Sequence, residues 1–80
     1  MQLPVIKKLT ETYTLELLRK AEEALYEEQT PEIEVEGKDE GEKLTHILAA
    51  ISILEDIANN GTDQRTALRN YTQRVRNSIS

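Results

Sequence analysis

The sequence predicts a small all-α domain of three to four helices, assembled as a homodimer, with a short extended acidic segment near residues 32–36. Apolar residues recur three to four positions apart in several segments, which is the period of an amphipathic helix. Residues that cap or break helices stand where these segments begin and end. The length of 80 residues limits the chain to one domain, 1–80.

The first two helices are predicted to be short. Leu3 to Thr10 is the expected first helix, with Pro4 in the first turn, where its missing N–H group has no helical partner to lose. Thr14 is the expected N-cap of a second helix from Leu15 to about Gln29. Thr30-Pro31 is expected to end that helix, because the residue before a proline avoids helical backbone angles.

The acidic loop 30–41 joins the second and third helices. Residues 32–36 alternate between glutamate and an aliphatic side chain, which is the period of a β-strand. A single strand is not stable in water, and the chain shows no obvious second strand. The stretch is therefore either an extended loop or an edge strand that pairs with a second copy of the chain.

The third helix, expected from Asp39 or Glu40 to Asn59, is apolar around most of its girth, which indicates burial on several sides. Small domains often need a partner subunit, and without cysteine this one cannot form disulfides. We therefore expect a twofold dimer, the commonest assembly, in which the third helices meet. The expected interface residues are Leu44, Ile47, Leu48, Ile51, Leu54 and Ala58.

Asn60-Gly61 is the expected left-handed cap of the third helix, and Thr62 or Asp63 is expected to cap the last one. Charge then changes sign along the chain. Residues 1–60 carry a net charge of −8 and residues 61–80 a net charge of +3, so the two parts attract one another within a molecule or between copies.

The last helix carries four arginines, which are Arg65, Arg69, Arg74 and Arg76. They are expected either to pair with carboxylates such as Glu27, Glu28 or Asp56, or to face a partner protein. The overall net charge of −5 repels a polyanion, so nucleic acid is not an expected partner.

Glu42 and His46 form the candidate pair for metal binding or acid–base chemistry. They lie four positions apart on the third helix, and His46 is the single histidine. Di-metal carboxylate bundles use the Glu-x-x-His spacing instead. One histidine per chain without cysteine falls short of ordinary transition-metal ligation, so we expect a simple pair on the helix surface, no cofactor and no enzymatic activity.

Several short motifs occur in the order found in a family of small Bacteroidetes proteins of unknown function, which the chain resembles. The motifs are Pro4-Val5-Ile6-Lys7 with Leu9, a helix capped at Thr14, Gly61, Ala67-Leu68, and Val75 followed by Ser78-Ile79. The resemblance implies a shared fold and a bacterial cytosol, and it implies no chemistry. The acidic stretch 32–41 departs from the family pattern.

These observations predict a cytoplasmic, non-enzymatic interaction or regulatory module that self-associates and binds an unidentified protein. One alternative is an acidic decoy or regulator of a basic partner, because Glu22 to Glu42 carries ten carboxylates and only one lysine. Another is a metal-binding protein centred on Glu42 and His46. No membrane span is expected, since the longest apolar run, 47–51, is far shorter than the about 20 residues that a bilayer requires.

Overall fold

The computed structural model describes residues 2–79, and the side chains of residues 2–77. Four α-helices follow one another along the chain: α1 (Leu3–Thr12), α2 (Leu15–Tyr26), α3 (Glu40–Asn60) and α4 (Gln64–Ile79). Residues 2–79 contain no β-strand, so the predicted all-helical fold is confirmed. None of these helices is both long enough and apolar enough to cross a membrane.

The centre of the fold is α3, and α1, α2 and α4 each pack against it. Its buried side chains are His46, Ile47, Ala49, Ala50, Ile51 and Ile53. They meet the apolar stripes of the outer helices, among them Ile6, Leu18 and Ala67. Because three helices of the same chain surround α3, its apolar girth is largely buried within one molecule. The apolar circumference of α3 therefore does not by itself require a second copy of the chain to cover it.

The acidic segment between α2 and α3 is an extended loop. The alternation seen in the sequence is preserved in space, since Val35 is buried, Ile33 is half-buried and the glutamates between and beside them are exposed. The Tyr13 hydroxyl donates a hydrogen bond to the backbone oxygen of Glu34 at 3.4 Å, which holds the segment against the end of α1. The period of two is therefore accounted for by one-sided burial within the chain, and pairing of this segment with a second copy stays a prediction.

Local sequence sets most of the helix ends. Thr14, Asp39 and Asp63 each accept a hydrogen bond from the backbone N–H three residues later, at 3.3, 2.8 and 2.7 Å. These are N-cap bonds, and they satisfy donors that have no partner inside the helix. Gly61 ends α3 with a left-handed φ of 66°. The expected caps at Thr14 and Gly61 are both confirmed.

The end of α2 corrects a prediction, because the helix stops at Tyr26 and not near Gln29. Glu28 adopts a left-handed φ of 58°. The Gln29 N–H then donates to the Ala24 carbonyl oxygen at 2.8 Å, and the Glu28 N–H donates to the Leu25 carbonyl oxygen at 3.1 Å. This pair of bonds is a Schellman motif. This motif ends the helix before Pro31, which was expected to stop it. Its left-handed position is usually glycine or asparagine, so Glu28 does not indicate it in the sequence.

Candidate functional site

Three arginines of α4 share one surface of the molecule. Arg65, Arg69 and Arg76 surround a shallow depression of about 330 Å³, whose apolar lining comes from Leu3 of α1 and Leu68 of α4. All three arginines are exposed, and Leu3 is 40% exposed. We call this surface, defined by these five residues, the Arg face.

The arginines of the Arg face have no carboxylate within salt-bridge distance in residues 2–77. The salt bridges in this part of the chain are Lys8–Glu36, Arg19–Glu55 and Lys20–Glu16. Asp63, the N-cap of α4, has its pKa lowered mainly by hydrogen bonds from the backbone and side chain of Thr66, and to a smaller degree by Arg65 and Arg69. Within residues 2–77, the guanidinium groups of the Arg face thus have no carboxylate partner and are available to an acidic one.

Arg74 belongs to a different surface. Its Nη2 donates a hydrogen bond to Ser52 Oγ of α3 at 3.3 Å, and its guanidinium carbon lies 6.0 Å from the centre of the Tyr71 ring. Partial burial raises the pKa of Tyr71, and Arg74 opposes that shift. The structure therefore brings three of the four predicted partner-facing arginines together and directs the fourth toward α3.

A polar groove of about 610 Å³ is lined by the second half of α3 and by α4, and its acidic lining residues include Asp56. The Asp56 carboxylate accepts hydrogen bonds from Asn60, Thr62 and Asn70 at 2.6, 3.2 and 3.5 Å. The Asn60 bond is the main reason that the pKa of Asp56 is lowered below 3.8, while burial acts in the opposite direction. Because these groups bond to one another, the network links α3 to α4 and is a structural junction.

Four carboxylates line a second groove of about 550 Å³ between α2 and α3, which shares Glu55 with the polar groove. They belong to Glu22, Glu23, Glu27 and Glu55. Tyr26 also lines this groove and is 62% exposed. Within the groove, Arg19 forms a salt bridge with Glu55 at 3.5 Å. We call this surface, defined by Tyr26 and the four glutamates, the acidic groove.

His46 is fully buried, whereas the sequence placed it on the helix surface. Its Nε2 accepts a hydrogen bond from the backbone N–H of Gln2 at 3.1 Å, and its Nδ1 bonds to the backbone oxygen of Glu36 at 2.8 Å. The first partner only donates and the second only accepts, so the ring carries its proton on Nδ1. Both nitrogens are thereby engaged, and His46 ties the start of α1 and the acidic segment to α3.

The candidate metal pair is not extended by other ligands. In the part of the chain that the structure describes, no three histidine, cysteine, aspartate or glutamate residues cluster so as to hold a metal ion. Glu42 is half-buried in the first turn of α3, where its backbone N–H donates to the N-cap Asp39. A carboxylate here stabilises the positive end of the helix dipole. The helix dipole therefore gives a reason for a carboxylate at Glu42 that does not involve a metal ion.

The six α3 residues expected at a dimer interface fall into two groups. Ile47 and Ile51 are 0% and 7% exposed and lie in the core, so in this fold they pack against the same chain. The others reach the surface to different degrees, and they are Leu44, Leu48, Leu54 and Ala58. Leu48, at 41% exposure, is the large apolar side chain of α3 that is most available to a partner.

A family model described as a family of unknown function (DUF6952) matches residues 1–80. No curated protein and no solved structure matches the chain. The predicted resemblance to an uncharacterised family of small proteins is confirmed at this level, while the Bacteroidetes origin and the terminal motifs stay predictions. Since the match covers the whole sequence, the chain belongs to DUF6952, a family of unknown function.

Proposed function

We propose that this protein is a non-enzymatic interaction module whose Arg face docks an acidic segment of a protein partner. One observation carries the proposal: three exposed arginines surround two partly exposed leucines and form no salt bridge in residues 2–77. Guanidinium groups match carboxylates with paired hydrogen bonds. An apolar patch rimmed by polar groups is typical of a protein-binding surface.

The charge of the whole molecule favours a protein partner over nucleic acid. A net charge of −5 repels a long polyanion, whereas a short segment with a few carboxylates feels mainly the nearby guanidinium groups. The leucines of the Arg face would receive an apolar side chain of the same segment, which a nucleic-acid backbone does not offer. The expected occupant is therefore an acidic stretch with one apolar anchor.

A peptide-binding assay tests the proposal. A fluorescent peptide of glutamate and leucine would be titrated with the wild-type protein, with Arg65→Ala/Arg69→Ala and with Arg74→Ala as the matched control from the same helix. Each exposed charge pair contributes about 0.2–1 kcal/mol, so the double variant should bind roughly 2- to 30-fold more weakly. Failure of the wild type to bind, or an equal loss in Arg74→Ala, would contradict the proposal.

Exposed leucine on α3 favours a second candidate, pairing of two copies through Leu44 and Leu48. These residues lie one helical turn apart, Leu44 half-buried and Leu48 41% exposed. Sedimentation analysis of Leu48→Glu tests this candidate, because a charge placed in such a contact would separate the copies. A monomeric wild-type protein would remove it.

A further inference from the structure

We infer that the Arg face binds the acidic groove of a second copy of this chain. This inference rests on the proposed function and names its partner. The contact would join two different surfaces, so each molecule would offer its Arg face to one neighbour and its acidic groove to another.

Charge complementarity is the first argument. The Arg face offers three guanidinium groups, and the acidic groove offers four carboxylates, of which Glu55 already pairs with Arg19. The other three carboxylates, Glu22, Glu23 and Glu27, have no salt bridge in the described part of the chain. Among the described residues, three cations without a salt bridge on one surface therefore correspond to three anions without a salt bridge on the other.

The apolar groups of the two surfaces also correspond. Tyr26 is 62% exposed among the carboxylates, and Leu3 is 40% exposed beside Leu68 among the arginines. The Tyr26 ring of one copy would cover the two leucines of the next. Arginine side chains stack favourably on aromatic rings, so the surrounding guanidinium groups would contact the same ring.

The fold keeps these surfaces apart within one molecule. The Arg face is built from α1 and α4, the acidic groove is built from α2 and α3, and they share no residue. No salt bridge joins them in residues 2–77. Attraction between the two surfaces would therefore be satisfied between copies. A contact between two different surfaces produces rings or open chains, unlike the twofold dimer expected from the sequence.

Charge reversal tests the inference on the full chain by sedimentation velocity over a range of concentrations. The two test variants are Arg65→Glu/Arg69→Glu and Glu23→Lys/Glu27→Lys. Lys20→Glu/Lys38→Glu is the control, because it changes the net charge as much as the arginine variant but lies outside both surfaces. Circular dichroism of each variant would check that it has the helical content of the wild-type protein.

The expected result has three parts. The wild-type protein and the control associate at about 50 mM salt and dissociate as salt approaches about 500 mM, where charge pairs are screened. Each test variant alone loses this association by at least about tenfold, as expected when several charge pairs become repulsive. An equimolar mixture of the two test variants associates again, because each reversed surface then finds its complement.

Other outcomes overturn the inference. They are a wild-type protein that stays monomeric at low salt, an association that both reversals leave intact but Leu48→Glu removes, or a mixture that does not recover. If the monomeric protein still bound the acidic peptide through the Arg face, the partner would be a foreign protein and the proposed function would stand. If peptide binding failed as well, the proposed function would fall too.

Discussion

Replacing His46 by phenylalanine tests the part of the fold that the sequence did not reveal. The variant keeps an aromatic ring, although a larger one, in a fully buried position and removes the bonds to the Gln2 N–H and the Glu36 carbonyl oxygen. A buried polar group without a partner costs about 1–3 kcal/mol. Because both contacts are partly buried, we expect the free energy of unfolding to fall by about 2–4 kcal/mol.

The loss is large relative to the stability of a domain of this size, about 3–5 kcal/mol. Urea unfolding followed by circular dichroism measures it. His46→Asn is the matched variant, since its amide reaches the position of Nδ1 and keeps the donor to Glu36, so its stability should lie between the other two. If His46→Phe stayed within about 0.5 kcal/mol of the wild type, the change expected of a neutral surface substitution, the assigned hydrogen bonds would not be stabilising.

Four further predictions concern single positions. Glu28→Gly should raise the free energy of unfolding by about 1 kcal/mol, because glycine adopts the left-handed φ of 58° without strain; an unchanged urea midpoint would count against the Schellman motif. Gly61→Ala should lower it by about 1 kcal/mol through backbone strain, since among the described residues no heavy atom beyond the two adjacent residues lies within 4 Å of the added methyl group; an unchanged melting temperature would contradict this. The folded-state pKa of Asp56 is lowered from 3.8, so its contribution is present above that pH and is lost as the pH falls through the lowered value. Asp56→Asn should therefore flatten the acid limb of the unfolding curve below about pH 4, and an identical limb would contradict the network. Ile51→Asp should abolish the helical circular dichroism signal because it buries an unpaired carboxylate, whereas Ala58→Asp on the exposed side of α3 should stay folded.

Features of the fold that depend on neighbouring residues were predictable from the sequence. Thr14 and Gly61 act as caps through bonds and backbone angles that lie within a few residues. The end of α2 was missed because Glu28 adopts a conformation usually left to glycine or asparagine. The burial of His46 was missed because its partners, Gln2 and Glu36, are backbone groups distant in the chain, and any residue supplies such groups.

In the candidate site, too, the sequence predicts what nearby residues determine and does not predict what the packing of the helices determines. Helical spacing in α4 places Arg65 and Arg69 four positions apart and Arg76 seven positions further along, which puts the three on one side of the helix. It did not show that Arg74 turns toward Ser52, nor that Leu3 completes the surface from the start of α1. Those facts depend on how the outer helices are placed around α3, and a period read along one helix carries no information about that placement.

The arrangement of three outer helices around α3 has a consequence for how the molecule opens. Each outer helix makes most of its helix–helix contacts with α3, so we expect that one of them can detach while the other two stay docked. Native-state hydrogen exchange should then resolve separate opening events for α1, α2 and α4 at intermediate free energies, while the amides in the middle of α3 exchange only when the whole chain unfolds. A helix that departs transiently in this way would expose the side chains of α3 to solvent or to proteases without loss of the remaining fold.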